Sequence, residues 1–504
     1  MFKRAAKKLL SFPFNIENKI YRFSSDMEFA NNIEEQLKMV PISNGSRYYD
    51  RINKRLGIIC DSFLYQGFRN CCELVYITPQ NYEDQLRNVD VLLITSTWHG
   101  LNHEWDASYQ KHSTTFEAIN HIKNLASKLD IPIAFYSKED PPNFEIFNSI
   151  PEGTNVIFTS AVECVEKYNE LYPHIPCYHL PFAVNPLLHN PIGMFDHQFS
   201  KKALFAGSWM TKYPIRTQEQ KNIFDWLLQS NWELIIVDRN YNRHNRNYYY
   251  PTKYRKYIVP NYNYSDIAKM YKLFPLIINV NSVSDSETMF AGRAYDASAS
   301  GGMIISNNSI GMKRLFPYIR IIGSYEDLEH VLSLSQPEID AIRLKGVRET
   351  YRLPTVYDVV RIIFEKAQNE SMKASQRSVL VVANKITASI EYDFNNQSYT
   401  SKQLVCKNLD TFDMAKFDMV AFWDCDDKYY SRYLEDMING FRFTNCDFVT
   451  KPFEGNGHVF TESMVKKTRS VFWLKQYTIS ELLNLPNYDL ELSNGYLINS
   501  YDIE

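Results

Sequence analysis

Short apolar runs alternate with longer amphipathic stretches along most of the chain. In the first third the apolar runs are Gly57 to Cys60 (GIIC), Val91 to Thr95 (VLLIT), Ile131 to Tyr136 (IPIAFY) and Asn155 to Thr159 (NVIFT). Between them the spacing predicts helices over 113–129 and 161–171. Continuous apolar strands separated by helices predict a parallel sheet covered on both faces. A connection rich in proline and histidine, 173–197, precedes a restart of the same pattern. Strands are predicted at 203–206, 233–237, 276–280 and 319–322, with helices at 218–229, at 265–273 and from Ser324. Residues 337–369 read as helical with a break at Pro354. A third start appears at Val379 to Ala383 (VLVVA) and Met419 to Trp423 (MVAFW). No solenoid repeat is present.

The expected class is therefore α/β. Two Rossmann-like doubly wound domains, 51–185 and 186–370, follow a helical lead, 1–50, and precede a smaller α/β module, 371–504. Ligands in such folds sit where loops leave the strand ends. This directs attention to Asn279 to Asn307, which runs strand, polar break, short helix, glycine pair, strand. Glycines such as Gly301 and Gly302 either let a backbone approach a phosphate or cap a helix.

Composition narrows the class. Of 504 residues 45% are hydrophobic and 22% charged, as in an ordinary globular protein. A net charge of -3 argues against a general nucleic-acid binder. The 35 Tyr and 31 Phe suit sugar stacking but suit plain cores equally. The eight Cys are scattered with no C-x-x-C pair, which fits a reducing cytoplasm. No apolar run reaches transmembrane length. Met1 to Phe14 is basic and apolar without a signal-peptide core, and reads as a solvated helix or one lying on an anionic inner leaflet.

Several residue groups together resemble the GT-B glycosyltransferases of the CgeB-like, group-1-type kind. They are Ser96-Thr97-Trp98-His99-Gly100 with Glu104-Trp105, Tyr136 to Pro141, the linker Leu180 to Pro186, Phe205 to Ser208 with Tyr213 and Arg216, and Thr288-Met289 with Arg293 to Asp296. The resemblance spans most of the chain. It implies transfer of a sugar from a nucleotide-sugar donor, held mainly by the second domain, to a glycan or lipid-linked acceptor. It also implies no essential metal at that site, a bacterial cell-envelope polysaccharide or glycoprotein as product, and a cytoplasmic location against the inner membrane face.

Roles follow from that resemblance. Gly207 and Ser208 meet the donor phosphates, Arg216 or Arg293 pairs with the leaving diphosphate, Asp296 holds the ribose, and Gly301 and Gly302 pack under the nucleotide. For both arginines a structural ion pair is the competing reading. Related retaining enzymes often carry two glutamates here; this chain has Asp296 at the second position and Thr288, beside Glu287, near the first. In the first domain Asp61, His99, Glu139 and Asp140 follow predicted strands and are candidates for a base that takes the acceptor proton.

The third segment offers Asp424-Cys425-Asp426-Asp427 at a strand end. Carboxylates at i and i+2 can together meet a hard divalent cation. The group resembles the D-x-D of family-2 GT-A glycosyltransferases, which implies Mn or Mg at Asp424 and Asp426 in a truncated module. Two further function classes stay open: a non-catalytic glycan-binding or assembly protein on the same fold, and a metal-dependent transferase acting through the third segment.

Overall fold

A computed structural model describes residues 26–196, 199–243, 245–374, 376–406 and 413–500. The helix expected at Met1 to Phe14 lies outside them. The first sheet is all parallel, in the order β2-β1-β3-β4-β5-β6. Its strands are β1 (Arg55–Ile59), β2 (Glu73–Tyr76), β3 (Val91–Thr95), β4 (Ile133–Ser137), β5 (Val156–Thr159) and β6 (Cys177–His179). Alternation splits it between two cores. Ile58, Leu93, Ala134 and Phe158 face one, while Ile59, Ile94, Phe135 and Ile157 face the other. Each large side chain so buried contributes about 1.5–3 kcal/mol.

The second sheet is also parallel, in the order β12-β11-β10-β7-β8-β9. It comprises β7 (Lys202–Gly207), β8 (Glu233–Asp238), β9 (Ile258–Val259), β10 (Leu276–Asn279), β11 (Met303–Ser306) and β12 (Arg320–Ile321). Chain order runs outward from β7 to β9 and then jumps to β10. The switch point therefore lies between β7 and β10, where Ala203 pairs with Leu276. The helix Pro214–Gln229 starts earlier than expected because Pro214 occupies its first turn, where a missing N–H costs nothing. The helical run near 337–369 divides at Pro354 into Gln336–Arg352 and Val356–Gln368, each opened by a capping box. Val356–Gln368 packs against β3 and β4 of the first sheet, and Met27–Met39 packs against the second.

The third lobe is a mixed sheet, β14-β13-β15-β18-β16-β19-β17. Its strands are β13 (Val379–Ala383), β14 (Lys402–Cys406), β15 (Met419–Trp423), β16 (Phe448–Thr450), β17 (Val459–Lys466), β18 (Ser470–Trp473) and β19 (Tyr488–Leu497). The first three pair in parallel, and β18 runs antiparallel to β15 and β16. Its buried residues and those of Val356–Gln368 belong to one hydrophobic cluster, so the first and third lobes share a continuous core. Arg348 also clamps Asp436 bidentately at 2.8 and 2.6 Å. No helix among the described residues is long and apolar enough to cross a membrane.

Candidate functional site

Two arginines converge at the switch point of the second sheet. Arg293 opens the helix Arg293–Ala299, which returns from β10. Its guanidinium donates to the carbonyl of Ala206, at the end of β7, and to Asn279 Oδ1 at 3.1 Å, at the end of β10. It lies 5.1 Å over the Phe205 ring. Gly207 makes room for it, since a Cβ there would stand 3.1 Å from Arg293 Nη2. Arg216, from the helix Pro214–Gln229, donates to the Ser208 carbonyl at 3.1 Å and to Gln220 Oε1 at 3.0 Å. Burial brings Arg216 down to about 10, and the charge of Arg293 adds to that. Among the described residues neither guanidinium has a carboxylate within 4.0 Å, and the buried Nε of each lacks a partner. Two neighbouring cations, Arg216 buried and Arg293 half-buried, with no carboxylate in direct contact make a site that an anion would complete.

Ser208 stands beside them, its Oγ accepting from Asn240 Nδ2 at 2.8 Å. Sequence reasoning missed the surrounding asparagines. Asn281 takes the amide of Ala291, Asn307 takes that of Asn281, and Asn279 bonds Ser306, so the loop after β10 is fixed from within. Their only signal was a run of Asn at two strand ends.

The remaining second-lobe candidates lie elsewhere. Gly301 and Gly302 sit at the amino-terminal edge of β11, away from the switch-point loops. A crossover helix carries the chain back across the sheet before the next strand begins. Gly301, at φ 75°, closes the helix, and its carbonyl accepts from the buried Arg343 at 2.6 Å. A Cβ on it would stand 2.7 Å from Met194. The pair is a helix stop, and the expected packing under a nucleotide is corrected accordingly. Asp296 is 6% exposed. It accepts from Tyr264 Oη at 3.1 Å and lies 3.5 Å from His189 Nδ1. Burial pushes Asp296 up to about 7 against the Tyr264 hydrogen bond and the Arg293 charge. Burial and the Lys272 charge bring His189 down to about 3, so the two do not form an ion pair near neutrality. A carboxyl enclosed in this way does not present itself to a ribose, which corrects that expectation as well.

In the first lobe Asp61 follows β1 and organises the loop after β3. Its carboxylate accepts from the backbone N–H of Trp98, His99 and Gly100 at 3.0–3.1 Å and pairs with Lys138 at 3.1 Å. Burial alone would raise its pKa; the Lys138 charge and the amides outweigh this and lower it. Asp61 is thus a poor base and a strong anchor. Lys138, for which the sequence alone suggests no role, also pairs with Glu139 at 3.0 Å. Glu139 is half-buried and accepts from Asn143 at 3.1 Å. Asp140 is fully buried, accepts from Thr159 at 2.6 Å, and is pushed by burial up to about 6. It is a core carboxyl, which corrects its placement among the bases. His99 remains accessible, with Nδ1 2.5 Å from Asp106 Oδ1. Thr288 ties the lobes together, donating to Ser160 O at 3.0 Å and accepting from the Val162 amide at 2.9 Å.

In the third lobe Asp424 and Asp426 follow β15 on an exposed turn, with Cys425 between them and all three ligand atoms within 4.8 Å of one another. Asn384, after β13, donates to Asp424 at 2.8 Å. Beside it is a cavity of about 300 Å³ lined by Asn384, Trp423, Lys467, Thr468 and Asn487 among others.

No family model matches this sequence, and no curated protein matches it. Solved structures do resemble the chain at low identity. One is an alpha-glucosyltransferase in complex with UDP and a DNA containing an HMU base: 14% identity, TM-score 0.45, 63% of this chain and 99% of that one. Another is HepE of Anabaena in complex with UDP-glucose: 8% identity, TM-score 0.41, 63% and 100% covered. A third is the N-terminal domain of trehalose-6-phosphate phosphatase of Candida albicans: 9% identity, TM-score 0.39, 65% and 100% covered. At these scores the likenesses carry no argument about activity.

Proposed function

We propose that the protein is a glycosyltransferase whose second lobe holds a nucleotide-sugar donor, with the diphosphate against Arg216, Arg293 and the Gly207–Ser208 turn. The observation that carries this reading is the pair of guanidiniums at the β7/β10 switch point, Arg216 buried and Arg293 half-buried, each with an unpartnered buried Nε and, among the described residues, no carboxylate within 4.0 Å. Guanidinium forks suit phosphate oxygens, and charge held ready there stabilises a diphosphate as it leaves. The sugar as the transferred group rests on the sequence resemblance to GT-B enzymes.

In this mechanism an acceptor hydroxyl attacks the anomeric carbon, and the bond from that carbon to the diphosphate oxygen breaks. The electron pair leaves with the diphosphate, towards the arginines. His99 takes the hydroxyl proton at Nε2, while Asp106 holds the other proton on Nδ1 and orients the ring. Glu139 is the reserve candidate for this base. The acceptor is a glycan or lipid-linked sugar of the cell envelope.

The test is mass spectrometry of donor breakdown across common sugar nucleotides, with thermal shift on wild type and Arg293→Ala. Selective stabilisation by one sugar nucleotide, lost in the variant, supports the reading. No shift with any nucleotide favours a glycan-binding or assembly protein without catalysis.

A second reading has its own observation, the 300 Å³ cavity beside Asp424 and Asp426. The paired carboxylates fit a hard cation such as Mn or Mg, which would neutralise charge on a diphosphate there. On that reading transfer is metal-dependent and is destroyed by Asp426→Ala.

A further inference from the structure

A cluster in the first lobe carries more than a single base. His103 stands four residues after His99, and Asp106 three after that. Both imidazoles turn Nδ1 towards the same carboxylate. His99 Nδ1 is 2.5 Å from Asp106 Oδ1, and His103 Nδ1 is 3.1 and 3.2 Å from its two oxygens. The two rings lie 4.9 Å apart, centroid to centroid. One ligand atom from each residue falls within 4.8 Å of the other two.

We propose that His99, His103 and Asp106 bind a divalent transition-metal ion of the zinc class. Metal bonds from imidazole nitrogen and carboxylate oxygen run about 2.0–2.2 Å, which places tetrahedral ligand atoms roughly 3–3.5 Å apart. The three ligand atoms, within 4.8 Å of one another, would have to draw closer together to reach that spacing. Two nitrogens and one oxygen suit zinc, cobalt or nickel better than magnesium or calcium, which prefer all-oxygen shells. Three protein ligands on an exposed loop leave a coordination position open to water or a substrate group.

The loop that carries these residues is ordered by its own hydrogen bonds. Asp61 takes the amides of residues 98–100, and Glu104 takes those of Leu101 and Asn102. Trp105 is fully buried and donates its indole N–H to the Ile77 carbonyl at 3.1 Å. Thr115 donates to the Asp106 carbonyl at 2.8 Å. His103 stands at φ 68°, a conformation that L side chains seldom adopt. A ligand set on an already ordered backbone gives up little entropy on binding.

Metal binding has a consequence for the proposed function and, to that extent, rests on it. A metal on His99 Nδ1 leaves the remaining proton on Nε2. The nitrogen that would take the acceptor proton then carries one already, so an ion here inhibits transfer.

The test uses the untagged protein. Wild type, His103→Ala, Asp106→Asn and Asp426→Ala are titrated with cobalt chloride, followed by visible ligand-field absorption, and with zinc chloride by calorimetry. The Asp426→Ala variant removes the other cluster with ligand-like spacing. The expected result is one cobalt ion bound in wild type and Asp426→Ala. Loss of a direct ligand in His103→Ala and Asp106→Asn weakens binding by more than the roughly 10- to 100-fold of an outer-shell change. No absorption change in wild type, or an equal change in His103→Ala, overturns the site. With the site present, zinc should inhibit donor breakdown in wild type and spare His103→Ala. Binding without inhibition sinks the base role of His99 and leaves the metal site standing.

Discussion

Gly207 and Arg293 share one corner of the second lobe: a Cβ on the glycine would lie 3.1 Å from Nη2 of the arginine. It would also lie 2.6 Å from Cζ of Phe205, whose ring supports the guanidinium at 5.1 Å. Gly207→Ala must therefore displace a buried ring or the arginine. Overpacking of this kind costs about 1–3 kcal/mol. We expect Gly207→Ala to lose stability in that range in urea denaturation and to bind UDP or GDP more weakly. Unchanged binding would detach the glycine from the anion site.

Arg293 and Arg216 should act on phosphate affinity. Charge-assisted hydrogen bonds are worth about 1.5–3 kcal/mol. Arg293→Ala and Arg216→Ala should each weaken nucleoside-diphosphate binding by roughly 10- to 100-fold, read by calorimetry. Arg293→Lys should recover only part of this, because an ammonium cannot reproduce the fork that spans Ala206 and Asn279. Equal affinity in wild type and both alanine variants would leave these arginines as structural struts.

Gly301 gives the contrasting case. At φ 75°, with Met194 2.7 Å from a built Cβ, it tolerates a side chain poorly. Gly301→Ala should cost about 1–3 kcal/mol of stability. The folded variant should nevertheless bind nucleoside diphosphate as wild type does. A selective loss of affinity would restore this glycine to the donor site.

How far the sequence spoke depended on burial. Strands enclosed on both faces, such as Val91–Thr95, Val379–Ala383 and Met419–Trp423, stand out as unbroken apolar runs and lie where the pattern predicts. Glu73–Tyr76 at a sheet edge is exposed or half-buried throughout, and Ile258–Val259 is two residues long, so neither leaves a run to read. The strands β17 and β19 are mostly exposed or half-buried and likewise present no unbroken apolar run. Arg293 was legible as a cation beside a strand end. Asp296 was not, because its enclosure by Tyr264 and His189 is a matter of tertiary packing. Gly301 misled because a helix-ending glycine and a phosphate-approaching glycine look alike until direction along the sheet is counted. The spacing His99, His103, Asp106 stands in the sequence, but only the folded loop shows that the three side chains meet.

Asp61 predicts an acid-sensitive loop. Its lowered pKa means that the folded state favours the carboxylate. The contribution to stability is thus fully present above the ordinary aspartate range and disappears as pH falls through the lowered value. Asp61→Asn keeps the shape but loses the charge facing Lys138, which is 8% exposed. Because Lys138 retains Glu139, we expect a cost of roughly 2–4 kcal/mol at neutral pH, at or below the loss for breaking a buried pair. Limited proteolysis should then cut the loop between Trp98 and Ser113. A variant as stable as wild type at neutral pH, with the loop still protected, would remove Asp61 as its anchor.

Asp296 predicts the opposite sign. Burial raises its folded pKa to about 7 from the ordinary carboxylate value, so the folded state binds the proton more tightly than the unfolded chain. Its proton-linked stability is present at low pH and is lost as pH rises through about 7, where the carboxyl must ionise beside Tyr264 in a closed space. His189, brought down to about 3, contributes a slope of the other sign, but only across the acid range below its ordinary value. The two slopes therefore oppose each other in wild type between about pH 4 and 6.5, and the aspartate slope fades above about 7, where both folded and unfolded states are ionised. Asp296→Asn keeps an acceptor for Tyr264 and cannot ionise. Its melting temperature relative to wild type should accordingly climb as pH increases from 5 to about 7 and level off above that. A constant difference between pH 5 and 7, measured by calorimetry in matched buffers, would mean that Asp296 is already ionised in the folded protein and that burial does not hold it neutral.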